Sequence, residues 1–193
     1  MATRAPLATL FALDTRLAGI VGQAREAMLA QIKFAWWRER LAEVADDRPA
    51  GEPLLSAIGS TWAEHEEALS ALVDRWEQML GDDEPMEGSI TIFAEARGAA
   101  LAELAGMIGA EAEAEAASVA GRRWALAEVA HGAGSVVART MGRALPPPVS
   151  ISRNLRGVAV LDGLAARSLV RGEPMLAGRG AVLAAMRLGM FGR

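Results

Sequence analysis

Along every long segment of this chain, apolar residues return every three or four positions, and nowhere do they alternate for the length of a strand. A period near 3.6 gathers such residues on one face of a helix, whereas a half-buried strand needs a period of two. Leu7, Leu10, Phe11, Leu17, Ile20 and Val21 form the first stripe, and Met28, Leu29, Ile32, Trp36, Trp37, Leu41 and Val44 the second. A third uses Trp62, Leu69, Leu72, Val73, Trp76 and Leu80, with Thr61 and Glu64 at the spacing of a capping box before it. Phe93, Leu101, Leu104 and Ile108 mark a fourth helix, and a fifth runs from about Ser118 through Val137 toward Met141. Pro146, Pro147 and Pro148 then stop any helix, because proline removes a donor and clashes with the preceding turn. Two shorter helices, Leu155–Leu169 and Val182–Phe191, follow. The remaining connections are the Asp46–Pro53, Gly81–Gly88 and Arg171–Gly180 loops. The expectation is an all-α fold of six to eight helices, one domain over 1–193 with a basic C-terminal part, 146–193.

Composition narrows the chemistry. Cysteine is absent from the 193 residues, which excludes disulfides, thiolate metal sites and a cysteine nucleophile. His65 and His131 are the only histidines, so a catalytic triad or a two-histidine metal clamp would have to draw on them. Both read as ordinary helix-surface residues. Residues 1–120 carry 9 basic and 21 acidic side chains, and residues 121–193 carry 11 arginines against 3 acids. The arginines offer a surface to phosphate or acidic lipid; equally, the two halves can neutralise each other within the domain. No aromatic residues interleave with them as a nucleic-acid platform requires, so no nucleic-acid partner is expected. Asp46–Asp47 and Asp82–Asp83 sit in loops and read as solvated turns. Glu111, Glu113 and Glu115 alternate with alanine and share no helix face, so they read as an acidic link or helix start. The 41 alanines favour helix and allow helices to approach closely. No stretch offers 18–20 uninterrupted apolar residues, and the apolar run before Asp14 lacks a cleavage site. The expected location is the cytoplasm, with a patch that brings the chain to the inner face of the membrane.

The second stripe, Ala27-Met-Leu-Ala-Gln-Ile-Lys-Phe-Ala-Trp-Trp-Arg-Glu-Arg-Leu41, resembles the squalene/phytoene synthase family, in its short bacterial branch. Ala27 stands where that branch has proline and Lys33 where it has arginine. Leu72-Val-Asp-Arg-Trp-Glu77, Gly121-Arg-Arg-Trp-Ala-Leu126 and Gly142-Arg-Ala-Leu-Pro146 are similar to further family stretches in the same order. So are Leu155–Arg167 and Arg187–Arg193. The resemblance implies a helical bundle of the class I isoprenoid (terpenoid) synthase type. It also implies head-to-head condensation of prenyl diphosphates, with two aspartate-rich motifs holding Mg²⁺ against the departing diphosphate. Trp36, Trp37 and Phe93 are then candidate cavity walls, although tryptophans in a helix core are the simpler reading.

The chain departs from that pattern at the ligating positions. The first motif falls on Ala18, Gly19 and Gly22, and the second on Gly134, Val137 and Ala138, none of them carboxylates. Ionisation of a diphosphate without its metal clamp forfeits several kcal/mol of barrier reduction at about 1.4 kcal/mol per tenfold in rate. The resulting expectation is a non-catalytic member of the family, with no cofactor and no catalytic residue, that binds an isoprenoid or acidic lipid or a membrane-protein partner. The resemblance extends to mitochondrial relatives that assist assembly of respiratory complex I, which supplies the precedent for an assembly-type role. The alternatives are an active prenyl-diphosphate transferase with an atypical site, using Mg²⁺ and gripping phosphate with Arg139 and Arg143, and a purely structural helical module. In that last case the two arginines simply favour a helix end.

Overall fold

A computed structural model describes residues 4–81 and 85–191. Among these residues the secondary structure is nine α-helices and three short 3-10 turns, with no strand. The helices are α1 (Arg4–Gly22), α2 (Ala27–Ala42), α3 (Pro53–Thr61), α4 (Glu66–Glu77), α5 (Glu87–Met107), α6 (Ala114–Gly132), α7 (Val136–Ala144), α8 (Arg156–Arg171) and α9 (Gly178–Phe191). They form two compact units, 2–82 and 83–193, which meet within the expected Gly81–Gly88 loop. The Asp82–Asp83 pair lies outside the described residues.

Nine helices exceed the expected six to eight, and local backbone chemistry explains the difference. The third stripe does not begin a helix at Thr61, nor do Thr61 and Glu64 form a capping box. Thr61 instead ends α3, its hydroxyl donating to the Ala57 carbonyl, and Glu64 adopts a left-handed φ of 69° that breaks the helix before α4. The fifth stripe is likewise cut. Gly134, at φ 66°, separates α6 from α7, and the Ser135 side chain caps α7 by accepting from the Ala138 N–H. α3 itself lies between the expected Asp46–Pro53 loop and the third stripe, in a stretch to which the sequence pattern assigns no element. Pro53 fits the first helical turn, and the Glu52 carboxylate accepts from the Leu54 N–H in front of it.

In the 2–82 unit, Leu10, Leu13 and Leu17 of α1, Phe34 and Trp37 of α2, Ile58 of α3 and Leu69, Leu72 and Val73 of α4 are buried. Two tryptophan N–H groups find partners in that interior: Trp62 donates to the Pro6 carbonyl and Trp76 to the buried Asp14. α1 is, among the described residues, the one helix long and apolar enough to span a bilayer by composition. A core helix meets the same criterion, and its leucines pack here against α3 and α4.

The 83–193 unit is built on α5 against α6, with α7 and α8 covering α6 and α9 lying on α8. α5 and α6 touch backbone to backbone. A Cβ added to Gly121 would stand 2.7 Å from the Arg97 carbonyl carbon and 2.8 Å from Gly98 Cα. Arg97 is fully buried there, its guanidinium 3.9 Å from the Trp124 ring centroid and 4.6 Å from that of Phe93, and it pairs with Glu128. Arg123, equally buried, pairs with Asp162 of α8 and donates to the Pro146 carbonyl. Burial pulls the Arg123 guanidinium below the usual arginine range.

Candidate functional site

A groove of about 690 Å³ opens in the 2–82 unit between α1 and α2. Thr15, Arg16 and Gly19 recur on one face of α1 and, with Gln23 just past its end, line one side; Ile32, Lys33, Trp36 and Trp37 line the α2 side. Ala12 and Gly19 keep the α1 wall low, and a Cβ at Gly19 would meet nothing within 4 Å. Trp37 is buried and Trp36 half-exposed, their rings edge to face with centroids 5.2 Å apart. Adjacent tryptophans thus serve two surfaces: Trp37 belongs to the core, and Trp36 presents an aromatic edge to the groove.

The rim is polar. Arg16 lies 3.3 Å from Glu52, whose other oxygen already caps α3. The Lys33 ammonium makes no ion pair among the described residues. The lining is mixed: Ile20, Ile32, Trp36 and Trp37 offer apolar surface, and Thr15, Arg16, Gln23, Lys33 and Glu52 offer polar groups. Met28, Leu29 and Ile32, each more than half exposed, continue the apolar surface along α2 from the groove.

Behind the groove, Arg38 joins α2 to α4 by pairing with Glu77 and, at 3.1 Å, with Asp74. The hydrogen bond that Arg38 donates to Glu77, reinforced by the one to Asp74, raises its guanidinium above its ordinary value despite partial burial. This interaction brings together two of the stretches on which the family resemblance rests, 27–41 and 72–77.

Of the positions where the first aspartate-rich motif falls, Gly19 lines the groove, Ala18 is half-buried beside it and Gly22 is exposed at the end of α1. The second motif falls in the 83–193 unit, and not on a continuous helix: Gly134 is the break between α6 and α7, Val137 is exposed and Ala138 is buried in the first turn of α7. Among the described residues no three histidine, aspartate or glutamate side chains gather as a metal site would require.

Phe93 is buried in the 83–193 unit beneath Arg97 and is not part of the groove lining. Arg139 and Arg143 both address the end of α8. Arg143 donates to the carbonyls of Leu169 and Val170, and the Arg139 guanidinium lies against Gly172, the left-handed residue that terminates the helix. Two cations at a helix C-terminus satisfy its free carbonyls and oppose its dipole. His131 is exposed in the last turn of α6, and the backbone N–H of His65 donates to the Trp62 carbonyl ahead of α4.

Sequence reasoning found the α2 side of the groove through its paired tryptophans but missed Arg16, Gln23 and Glu52. The available signal was the absence of a large apolar side chain at Thr15, Gly19 and Gln23, one turn apart and opposite the leucine stripe. Compared with known proteins, the chain matches no family model, no curated protein and no solved structure.

Proposed function

We propose that this chain is a non-catalytic binding protein, of the class I isoprenoid-synthase architecture without its metal clamp, that holds an isoprenoid or similar amphipathic lipid in the α1–α2 groove. The observation that carries the reading is the groove itself. Its volume of about 690 Å³ lies within the range of small-molecule sites, and Ile20, Ile32, Trp36 and Trp37 line it together with the cations of Arg16 and Lys33. At Gly19, where the resemblance calls for a metal-ligating aspartate, the wall is bare, and the space is free for an apolar chain.

Thermal unfolding with farnesyl diphosphate, with farnesol, and with either plus Mg²⁺ tests the proposal. A ligand at a hundred times its Kd stabilises by about 2.7 kcal/mol, so the midpoint should rise by roughly 5–10 °C for a chain of this size, with or without metal. Gly19→Leu fills the groove from a position with open space around it, so it should abolish the shift while leaving the unliganded midpoint unchanged or slightly raised. Absence of any shift with either ligand refutes binding, and release of diphosphate during the incubation refutes the non-catalytic assignment.

A further inference from the structure

In the 83–193 unit, α9 is apolar on two opposite faces. One face seats it on α8: Ala181 is buried, a Cβ at Gly163 of α8 would collide with Leu188, and Arg156 of α8 donates to the Gly189 carbonyl at 3.0 Å. The other face carries Val182, Leu183, Met186 and Met190, exposed at 52%, 66%, 56% and 65%. At 100° per residue these four fall within one third of the helix circumference, directly away from Leu188. Nothing among the described residues covers them.

The charge around the stripe has one sign. The only charged residues of α9 are Arg179, at the head of the stripe, and Arg187, at its flank, and both are exposed. From Val136 to Phe191 there are eight arginines and two acids. Both acids are already neutralised within the unit, Asp162 by buried Arg123 and Glu173 by Arg167. Every charge that this segment itself leaves uncompensated is therefore positive; an acid that another element brings to it, Glu113, accepts from the Ser152 N–H, far along the chain from the stripe.

We infer that α9 docks in the plane of an anionic lipid bilayer, its four apolar side chains entering the headgroup–acyl boundary and Arg179 and Arg187 contacting lipid phosphates. Large apolar side chains along one exposed stripe with arginine at its edges are the pattern of an interfacial helix. A second copy of the chain is a poorer occupant, because four side chains on one helix fall far short of the roughly 20–30 residues a side of a stable protein interface. The 14-residue helix is about 21 Å long and is held at one depth by α8 behind it.

Co-sedimentation of the full chain with neutral phosphatidylcholine vesicles and with vesicles containing phosphatidylglycerol tests this. The native chain should partition at least tenfold more strongly to the acidic vesicles, and raising the salt from 50 to 500 mM should remove most of that preference. Leu183→Ser with Met186→Ser should lower partitioning at least tenfold. Arg179→Glu with Arg187→Glu should abolish the lipid-charge preference, since each arginine near an acidic surface contributes about fivefold. Circular dichroism verifies that these exposed substitutions leave the helices intact. Because the chain has no cysteine, a dye placed through Leu183→Cys reports that position alone. Its emission should shift blue on acidic vesicles, while the same dye at Thr140→Cys on exposed α7 should not respond. Equal binding to both vesicle types, unchanged binding of the serine variant, or a silent dye at position 183 each overturns the inference. So does a dimer that the serine variant dissociates, because the stripe is then a protein interface.

Discussion

Gly121→Ala should destabilise the 83–193 unit, although the same exchange normally stabilises a helix. In the interior of α6, alanine gains about 1 kcal/mol of helix propensity over glycine. Against this, the added methyl would stand 2.7 Å from the Arg97 carbonyl carbon and 2.8 Å from Gly98 Cα, both backbone atoms that no rotamer change can move. The Arg97 carbonyl oxygen lies closer still, so reaching an ordinary 3.4 Å contact requires α5 and α6 to part by about 1 Å at their crossing. A gap of that size forfeits a quarter to a half of the dispersion energy across the interface, and overpacking of this kind typically costs about 1–3 kcal/mol. Separation also lifts the Arg97 guanidinium from Trp124, weakening a stacked and fully buried cation. The net expectation is a loss of about 1–2 kcal/mol, or roughly 2–8 °C in Tm. Gly106→Ala is the control. It lies on α5 with nothing within 4 Å of its would-be Cβ and should gain about 0.5 kcal/mol, less than a mid-helix site because it is near the helix end. Urea titration followed by circular dichroism measures both changes, and hydrogen exchange resolved by peptide places the loss in α5 and α6. A Gly121→Ala chain as stable as the native one, with unchanged exchange in those helices, would refute the close-packed crossing.

Two further substitutions probe buried charge and backbone strain. Asp162→Ala leaves Arg123 buried without its carboxylate and should cost about 3–5 kcal/mol in urea unfolding, whereas Arg123→Met with Asp162→Leu should cost far less than the two single changes added together. Additive losses in that cycle would show that the pair is not coupled. Glu64→Gly should raise stability by about 0.5–1 kcal/mol, because it relieves the left-handed φ of 69° between α3 and α4 at a modest cost in chain entropy. A lower urea midpoint for this variant would count against the strained junction.

The helical class was plain in the sequence because an apolar residue every turn has no other economical explanation, and residues such as Leu10, Leu17, Leu72 and Trp76 lie buried as their spacing requires. Helix ends were less legible. Glu64 and Gly134 break their helices through single left-handed residues, and at Glu64 nothing in the residue type announces that conformation. The Thr61–Glu64 pair fits a capping box by spacing alone, and spacing does not reveal that Thr61 faces backward to Ala57. α3 was hidden because its start depends on Glu52 capping in front of Pro53, a contact made only once the chain has folded. The groove was half visible. Trp36 and Trp37 drew attention as bulk, but the opening beside them is made by small residues on α1, where Gly19 contributes only space.

The residues that carry the family resemblance and the residues absent from it do different physical work in this chain. Gly121 lets α5 and α6 meet, Trp124 covers Arg97, and Arg123 ties α8 and Pro146 to α6. Gly142 leaves room for Leu169, whose Cδ1 would lie 2.6 Å from a Cβ there, and Arg38 links α2 to α4. Each holds helices together, and replacing any of them strands a charge or forces a backbone contact apart. Positions 19, 22 and 137 carry no comparable packing obligation, since no Cβ contact arises at Gly19 or Gly22 and Val137 is exposed; Gly134 is held by its left-handed φ of 66° and Ala138 is buried. The packing of each unit therefore rests on these glycines, arginines and tryptophans of its own helices, and not on positions 18, 19 and 22 beside the α1–α2 groove.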